Sequence, residues 1–256
     1  MMVAKKFYVV WEGREKGIFT DWDTCKRHID KFAGARYKSY KTREEAESAF
    51  RSGPAAAMKK AKVAPKKYSG KGPKTYTAEE IGKLPAQTKI FTDGGCEPNP
   101  GKAASGMAVY REGEISELWF GLFNPQGTNN TAELNALHQA LLLAEKEIEK
   151  KSTVAIFCDS KYSIQCVTQW AVNWEKKGWT KPGGEIKNLE LIQTMFALYK
   201  KLKKSVKVLH VNGHVGVEGN ELADRMSIHG IDTKEEDFLQ FEVPASLKKV
   251  LAMRTG

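Results

Sequence analysis

The sequence predicts an α/β fold: a mixed five-stranded sheet with helices on both faces, plus a small α+β N-terminal domain. After residue 88, three strand-like segments and a long helical pattern precede an alternation of strands and helices. The segment TVAIFC is almost entirely apolar, which indicates a strand covered on both faces with parallel neighbours. A lysine- and proline-rich stretch separates these elements from the first part of the chain.

Residues 1–50 form the predicted small domain. KFYVVWEG and GIFT are rich in aromatic and β-branched residues, as expected for two strands, and ARYKSY gives a third. DWDTCKRHIDKF has apolar residues at helical spacing. Thr42 with Glu45 three residues later is a capping box, which predicts that a second helix begins there.

Residues 51–88 are predicted to be a basic, flexible linker. Prolines alternate with lysines and no hydrophobic period is present, which is typical of an extended segment. This stretch has a net charge of +7 within a chain total of +10. The excess indicates either a polyanionic partner or a solvated linker that is basic only for solubility.

Residues 89–231 carry the predicted main domain. KIFTDGG, SGMAVYRE and ISELWFGLF are successive strands, and TVAIFCD and VKVLHVNGH are two further buried strands. Helical patterns run from about Thr131 to Lys150, through SIQCVTQW and NLELIQTMFALYKKLKK, and through EGNELADRMSIHG, where Gly230 is expected to end the helix. Residues 232–256 are an acidic patch followed by one short amphipathic helix of open role.

The bulk composition excludes several classes of protein. Hydrophobic residues make up 41% of the chain, so a packed core is expected rather than wholesale disorder. The longest apolar runs, such as ALLLA, are too short to span a bilayer, and the first residues lack the pattern of a signal peptide. Four cysteines without CxxC spacing predict reduced thiols and a cytoplasmic location, and a monomer is the expected state.

Four acids and one histidine are candidates for a shared site. Asp93 and Asp159 end two strands, and functional groups collect beyond the carboxyl ends of strands in open α/β sheets. Glu133 opens the long helix, Asp224 lies on the last helix, and His214 follows the last strand. Taken alone, Glu133 could be a helix-start acid, Asp224 a solvated helix acid and His214 a hydrogen-bonded loop residue. Adjacent carboxylates repel unless a divalent cation binds them.

Four segments together resemble the type 1 ribonuclease H family: IFTDGGCEPNPG, TNNTAEL, FCDSKYS and HVNGHVGVEGNELADRMS, in this order. The resemblance covers roughly residues 89–231 and implies a ribonuclease H-like fold. It implies that the four acids bind metal and that His214 assists proton movement or product release. It also implies that nucleic acid contacts Asn99, Asn129, Asn130 and Lys161, the last standing where the family usually has glutamine.

The resemblance also implies a mechanism. Two Mg²⁺ ions, or Mn²⁺ as a substitute, would clamp the attacking and leaving oxygens, with Asp93 the best candidate to bridge them. The RNA strand of an RNA–DNA hybrid would be hydrolysed, leaving a 5′-phosphate and a 3′-hydroxyl. Gly94 and Gly95 are expected to leave room for the phosphodiester backbone.

Two other classes of function fit part of the pattern. The acids alone permit another nuclease or a strand-transfer enzyme of the same fold, such as an integrase or transposase. A nucleic-acid-binding protein with a decayed site is a second alternative, against which the presence of all four acids argues.

Residues 169–188 are the first candidate grip on the hybrid. The pattern predicts a helical hairpin anchored by tryptophans, and the family resemblance makes it a basic protrusion that rests on the DNA strand. The two readings are compatible if the tryptophans brace the segment and the lysines face phosphate. The residues concerned are Trp174, Lys176, Lys177 and Trp179.

The second candidate grip is the N-terminal domain. Its sequence resembles the hybrid-binding domain that precedes many cellular type 1 ribonucleases H, and it is similar to the domain named after the caulimovirus enzymes. The resemblance places Tyr8, Trp22, Tyr37 and Lys38 on the binding surface. The alternative is that the two tyrosines are core residues on a strand face.

Overall fold

The chain divides into two compact units between residues 70 and 71. The structure is a computed structural model. It describes residues 6–30, 32, 34–59, 73–213, 216–244 and 246–256, with the side chains of 55–59 left out.

The first unit is a three-stranded antiparallel sheet with a helix on each face. Its strands are β1 (Phe7–Glu12), β2 (Gly17–Phe19) and β3 (Arg36–Tyr40), in the order β2-β1-β3. Successive side chains of a strand face opposite sides, so β1 supplies two small cores. Val9 packs with Ala46 of helix α2, and Val10 packs with Cys25 of helix α1.

The two helices of this unit begin at polar caps. Helix α1 (Trp22–Ile29) begins after Asp21, whose side chain accepts a hydrogen bond from the amide of Thr24 at 2.7 Å. Helix α2 (Arg43–Lys59) begins after Thr42, whose hydroxyl accepts from the amide of Glu45 at 3.2 Å, as the capping box predicts. It runs past residue 50, the sequence-based limit of the domain, with a kink at Gly53.

The second unit is a seven-stranded mixed sheet in the order β10-β7-β6-β5-β8-β9-β4. The five central strands correspond to the five predicted from sequence, and the fold-class prediction is confirmed. β5, β6 and β7 are antiparallel, whereas β8, β9 and β4 follow β5 in parallel. The strands are β4 (Thr75–Tyr76), β5 (Thr88–Glu97), β6 (Gly101–Arg111), β7 (Glu114–Gly127), β8 (Val154–Cys158), β9 (Val206–Val211) and β10 (Phe238–Phe241).

Helices cover both faces of this sheet. Alternate residues of the parallel strands separate the two cores: Ile90 and Ile156 pack towards helices α4 and α7, and Phe91 and Phe157 pack towards α8. Cys166–Trp170 forms one π-helical turn between α5 and α6. The helices are α3 (Ala78–Gly82), α4 (Asn129–Glu149), α5 (Lys161–Gln165), α6 (Ala171–Lys176), α7 (Leu189–Leu202), α8 (Glu218–Thr233) and α9 (Lys248–Leu251).

Part of the predicted linker is structured. β4 and α3 lie within residues 51–88, and β4 extends the sheet beside β9. A second capping box, between Thr77 and Glu80, begins α3. β4 was not expected, because two residues of strand are too short to show a period, whereas α3 lies within TAEEIGKL, for which the sequence allows one or two helical turns. The domain limits themselves stay a prediction.

Gly230 does not end the last helix, contrary to the sequence-based expectation. α8 continues to Thr233, and Lys234 takes the left-handed conformation that closes it. A Cβ on Gly230 would lie 2.9 Å from the Cβ of Ala104 and 3.0 Å from the amide nitrogen of Gly121. Glycine is required here because the helix packs closely on the sheet.

The fold also bears on the predicted state of the cysteines and on the predicted lack of a membrane-spanning segment. All four cysteines are free thiols, in agreement with the expectation from their spacing. Among the residues that the structure describes, no helix combines the length and the apolar character needed to cross a bilayer.

Candidate active site

The four candidate acids converge on one edge of the large sheet. Thr92 of β5 pairs in parallel with Cys158 of β8, so the residues that follow them, Asp93 and Asp159, lie side by side. Helix α4 brings Glu133, and helix α8 brings Asp224. All four line one cavity of about 190 Å³, together with Asn129, Gly256 and four further residues of β5, Gly94, Gly95, Cys96 and Glu97.

Gly94 allows the long helix to reach this cavity. A Cβ on Gly94 would lie 2.3 Å from the backbone nitrogen of Glu133 and 2.5 Å from the carbonyl carbon of Ala132. No other residue would fit without displacing the start of α4. The placement of Glu133 is therefore one reason for glycine at position 94, and the expectation that Gly94 and Gly95 leave room for the phosphodiester stays a prediction.

Burial and mutual repulsion raise the pKa values of two of the acids. Burial raises the pKa of Asp93 well above its usual range, and the charges of Asp159 and Asp224 add to the effect. The amide of Gly94, which donates to the Asp93 carboxylate at 2.8 Å, acts in the opposite direction. Burial likewise raises the pKa of Glu133, with the charges of Asp93 and Asp159 as further causes. Without a bound cation, the site therefore disfavours the ionised forms of Asp93 and Glu133.

Asp159 is held from two sides. The side-chain amide of Asn220 donates to its carboxylate at 3.3 Å. Nε2 of His210 lies 3.1 Å from its carbonyl oxygen, and Nδ1 of the same ring lies 2.8 Å from the hydroxyl of Thr75. Burial, with the nearby charge of Lys161, lowers the pKa of His210. A neutral ring that donates from Nε2 and accepts at Nδ1 satisfies both contacts.

Asp224 has two donors, Arg225 and Gly256, of which Gly256 itself lines the cavity. The guanidinium of Arg225, its neighbour in sequence, forms an ion pair with Oδ2. The backbone amide of Gly256 donates to Oδ1 at 3.2 Å. These donors fix the orientation of the carboxylate at the edge of the site.

The donor atoms fit a divalent cation. Ligand atoms of Glu133, Cys158 and Asp159 all lie within 4.8 Å of one another. Burial raises the pKa of the Cys158 thiol well above its usual range, so the carboxylates are the charged ligands. Hard cations such as Mg²⁺ prefer oxygen ligands, and a bound cation removes the repulsion that raises these pKa values.

The predicted nucleic-acid contacts of this unit lie around the cavity. The side-chain carbonyl of Asn99 accepts a hydrogen bond from the backbone amide of Asn129 at 3.3 Å, so these two residues are neighbours. Asn130 is exposed in the first turn of α4, and Lys161 is exposed at the start of α5. His214 lies outside the described residues, and its role stays a prediction.

The segment that follows the π-helical turn combines buried rings with exposed lysines. Trp174 and Trp179 are partly buried and pack against the hydrophobic core to which α7 contributes. The ring of Trp179 meets that of Phe196 edge-on, with the ring centroids 6.1 Å apart. Lys176 and Lys177 are exposed, and neither forms an ion pair with a residue that the structure describes. The tryptophans therefore brace a segment whose lysines face solvent.

The N-terminal unit carries an aromatic patch. The ring of Trp22 lies 5.4 Å from that of Tyr8 and 6.0 Å from that of Tyr37. Trp22 and Tyr37 are exposed, whereas Tyr8 is partly buried against the core below α1. Lys38 does not join this patch, because it follows Tyr37 in β3 and faces the other side of the sheet, over the ring of Tyr40.

Sequence reasoning missed the residues that support the acids. Asn220 stands four residues before Asp224 on α8, so helical spacing places both on one face and could have revealed it. His210 appears in sequence as a strand residue like its neighbours. Gly256 gives no signal at all, because its contact with Asp224 depends on the path of the last residues.

Together, the fold and the site define a nuclease-type α/β enzyme: Asp93 lies within β5, Asp159 directly follows β8, and helices α4 and α8 carry Glu133 and Asp224. A reverse-transcriptase structure with a related fold is titled "foamy viral protease-reverse transcriptase in complex with RNA/DNA hybrid". It has a TM-score of 0.51 and 20% identity, and the match covers 67% of this chain and 23% of that one.

The family model for RNase H matches residues 85–232, more than half of the chain, and the chain belongs to this family of hydrolases. The model for the ribonuclease H1 N-terminal domain matches residues 6–50. The chain is 29% identical over 263 residues to mouse Ribonuclease H1, with 90% of both chains covered. It is 37% identical over 145 residues to a Pseudomonas putida Ribonuclease H, covering 56% of this chain and 93% of that one.

Proposed function

We propose that this ribonuclease H cleaves the RNA strand of RNA–DNA hybrids with two divalent cations, leaving a 5′-phosphate and a 3′-hydroxyl. The observation that carries the proposal is the convergence of Asp93, Glu133, Asp159 and Asp224 on one cavity. The match of residues 6–50 to a ribonuclease H1 N-terminal domain supports a hybrid as the substrate. We also propose that the protein is a cytoplasmic monomer that uses Mg²⁺, with Mn²⁺ as a possible substitute.

The acids divide the work according to their surroundings. Asp159 and Asp224 act on the pKa of Asp93, and Asp93 acts on the pKa of Glu133, so Asp93 interacts with all three other acids and is the candidate to be shared between two cations. Asn220 orients Asp159 through a hydrogen bond to its carboxylate, and His210 does so through a contact with its carbonyl oxygen. When bound, the cations supply an activated water and neutralise charge on the leaving 3′-oxygen.

The remaining residues would position the substrate. Asn99, Asn129 and Asn130 carry amides that can donate to ribose hydroxyls and phosphate beside the cavity. Lys176 and Lys177 present positive charge that suits a phosphate backbone. The patch of Tyr8, Trp22 and Tyr37 offers ring faces against which sugars can pack.

A three-substrate assay tests the proposal. The full chain is incubated with a hybrid, a double-stranded RNA and a double-stranded DNA of one sequence, with Mg²⁺ and with EDTA. We expect Mg²⁺-dependent cleavage of the hybrid alone, within its RNA strand. Cleavage of double-stranded DNA, or no cleavage of any substrate, would contradict the proposal.

Asp93→Asn gives the matched variant for the same assay. It keeps the shape of the side chain and removes its charge, so we expect loss of cleavage with hybrid binding retained in a gel-shift measurement. Turnover near that of the unmodified protein would show that Asp93 holds no essential cation.

A further inference from the structure

The last residues of the chain pack beside the active site. Val250 of α9 is buried in the core on the α8 side of the sheet. The side chain of Arg225 on α8 donates to the carbonyl of Leu251 at 3.4 Å. Residues 246–256 are therefore joined to the helix that carries Asp224, by an apolar contact and by a backbone contact.

Arg254 connects residues 246–256 to the sheet and to α8 through two ion pairs. Its guanidinium forms ion pairs with Asp232, at 2.6 Å near the end of α8, and with Glu97 at the end of β5. These acids belong to the two elements that carry Asp224 and Asp93. Arg254 consequently links β5, through the cavity-lining residue Glu97, to α8.

Gly256 reaches the cavity itself. It is among the residues that line it, and its amide donates to Oδ1 of Asp224 at 3.2 Å. A Cβ at this position would lie 2.9 Å from the same oxygen and 3.2 Å from Cδ1 of Ile228. A side chain here would therefore displace either the segment or the carboxylate.

We infer that residues 246–256 act as a clasp that positions Asp224 for cation binding. The inference rests on the proposed function of the acids. Arg225 contacts one oxygen of Asp224 and Gly256 contacts the other, so both donors restrict the orientation of the carboxylate. Arg254 and Gly256 are positioning residues, since neither needs to touch the substrate. Partners that orient metal ligands commonly change metal affinity about 10–100-fold when they are removed.

Two variants of the full chain test the clasp, with a third as control. Arg254→Ala releases the fastening, and Gly256→Ala adds one methyl group against Asp224. Lys248→Ala removes a positive charge from the same segment at an exposed position of α9. Mn²⁺ binding is measured by calorimetry without substrate, and kcat, KM for the hybrid and the Mg²⁺ dependence are measured separately.

We expect both clasp variants to bind Mn²⁺ about tenfold more weakly, with a lower kcat that high Mg²⁺ restores and an unchanged KM. Lys248→Ala should match the unmodified protein in each measurement. Unchanged Mn²⁺ affinity, even with a lower melting temperature, would overturn the clasp. Higher activity in Arg254→Ala would overturn it as well, because the segment would then obstruct the site. Failure of the unmodified protein to cleave hybrid while it binds Mn²⁺ would instead count against the proposed function.

Discussion

Replacing Glu133 with glutamine is expected to stabilise the protein when divalent cations are removed with EDTA. Ligand atoms of Glu133 and Asp159 lie within 4.8 Å of each other. Two full charges at that distance repel by about 3.5 kcal/mol at an effective dielectric constant of 20. The realised gain is smaller than this repulsion, because the native carboxyl can instead take up a proton.

A gain of about 1–2 kcal/mol is therefore expected at neutral pH, and it corresponds to a melting temperature about 2–8 °C higher for a unit of this size. Mg²⁺ should reverse the order, because the unmodified protein gains binding energy that the variant lacks. Melting curves in EDTA and in Mg²⁺ measure both effects.

The pH dependence of the same variant has a definite sign. The folded-state pKa of Glu133 is raised above its ordinary value of 4.5. The unmodified protein therefore loses stability as pH rises from about that value through the folded-state pKa, because the folded form must release a proton that it holds more tightly. The advantage of Glu133→Gln should accordingly shrink as pH falls towards 4.5.

Glu147→Gln is the matched control on the same helix. Glu147 is also buried, but Arg111 and Lys150 pair with its carboxylate. Although burial opposes ionisation, these partners hold the pKa of Glu147 below its usual value. Loss of its charge should destabilise the protein by about 1–3 kcal/mol, the opposite sign. A lower melting temperature for Glu133→Gln in EDTA would refute the argument from repulsion.

Two further predictions concern the grip on nucleic acid. Replacing Lys176 and Lys177 together with alanine should weaken hybrid binding and reduce the slope of log affinity against log salt by about 1–2, whereas Lys207→Ala should not; an unchanged slope would exclude phosphate contacts. Residues 73–256 alone, cut so that β4 is kept, should cleave less processively than the full chain because the tethered N-terminal domain raises local substrate concentration. Identical product patterns at matched turnover would contradict this role.

The central strands and the site were accessible from sequence because their signals are local. Asp93 and Asp159 each end an apolar run, and adjacent parallel strands necessarily bring such residues to one edge. Glu133 follows a polar turn at the start of a long amphipathic pattern. The end of an apolar run and the start of a helix thus made Asp93, Asp159 and Glu133 predictable, whereas Asp224 lies inside α8 and was placed by the family resemblance.

The rest depends on contacts between distant parts of the chain. β4 exists because Thr75 and Tyr76 pair with an existing sheet edge, and two residues in a lysine-rich stretch give no period of their own. The sequence predicts a helix stop at Gly230, whereas the residue is glycine because β6 and β7 pack closely against α8 at this position. The separation of Lys38 from Tyr37, by contrast, was predictable, because adjacent residues of the expected strand ARYKSY face opposite sides of its sheet.

The most direct measurement of the central claim is a crystal structure of the full chain with a hybrid and Mn²⁺, the metal located by anomalous scattering. Two peaks are predicted inside the cavity lined by Asp93, Glu133, Asp159 and Asp224, both of them beside Asp93. Peaks elsewhere, or carboxylates that turn away from a shared centre, would contradict the account.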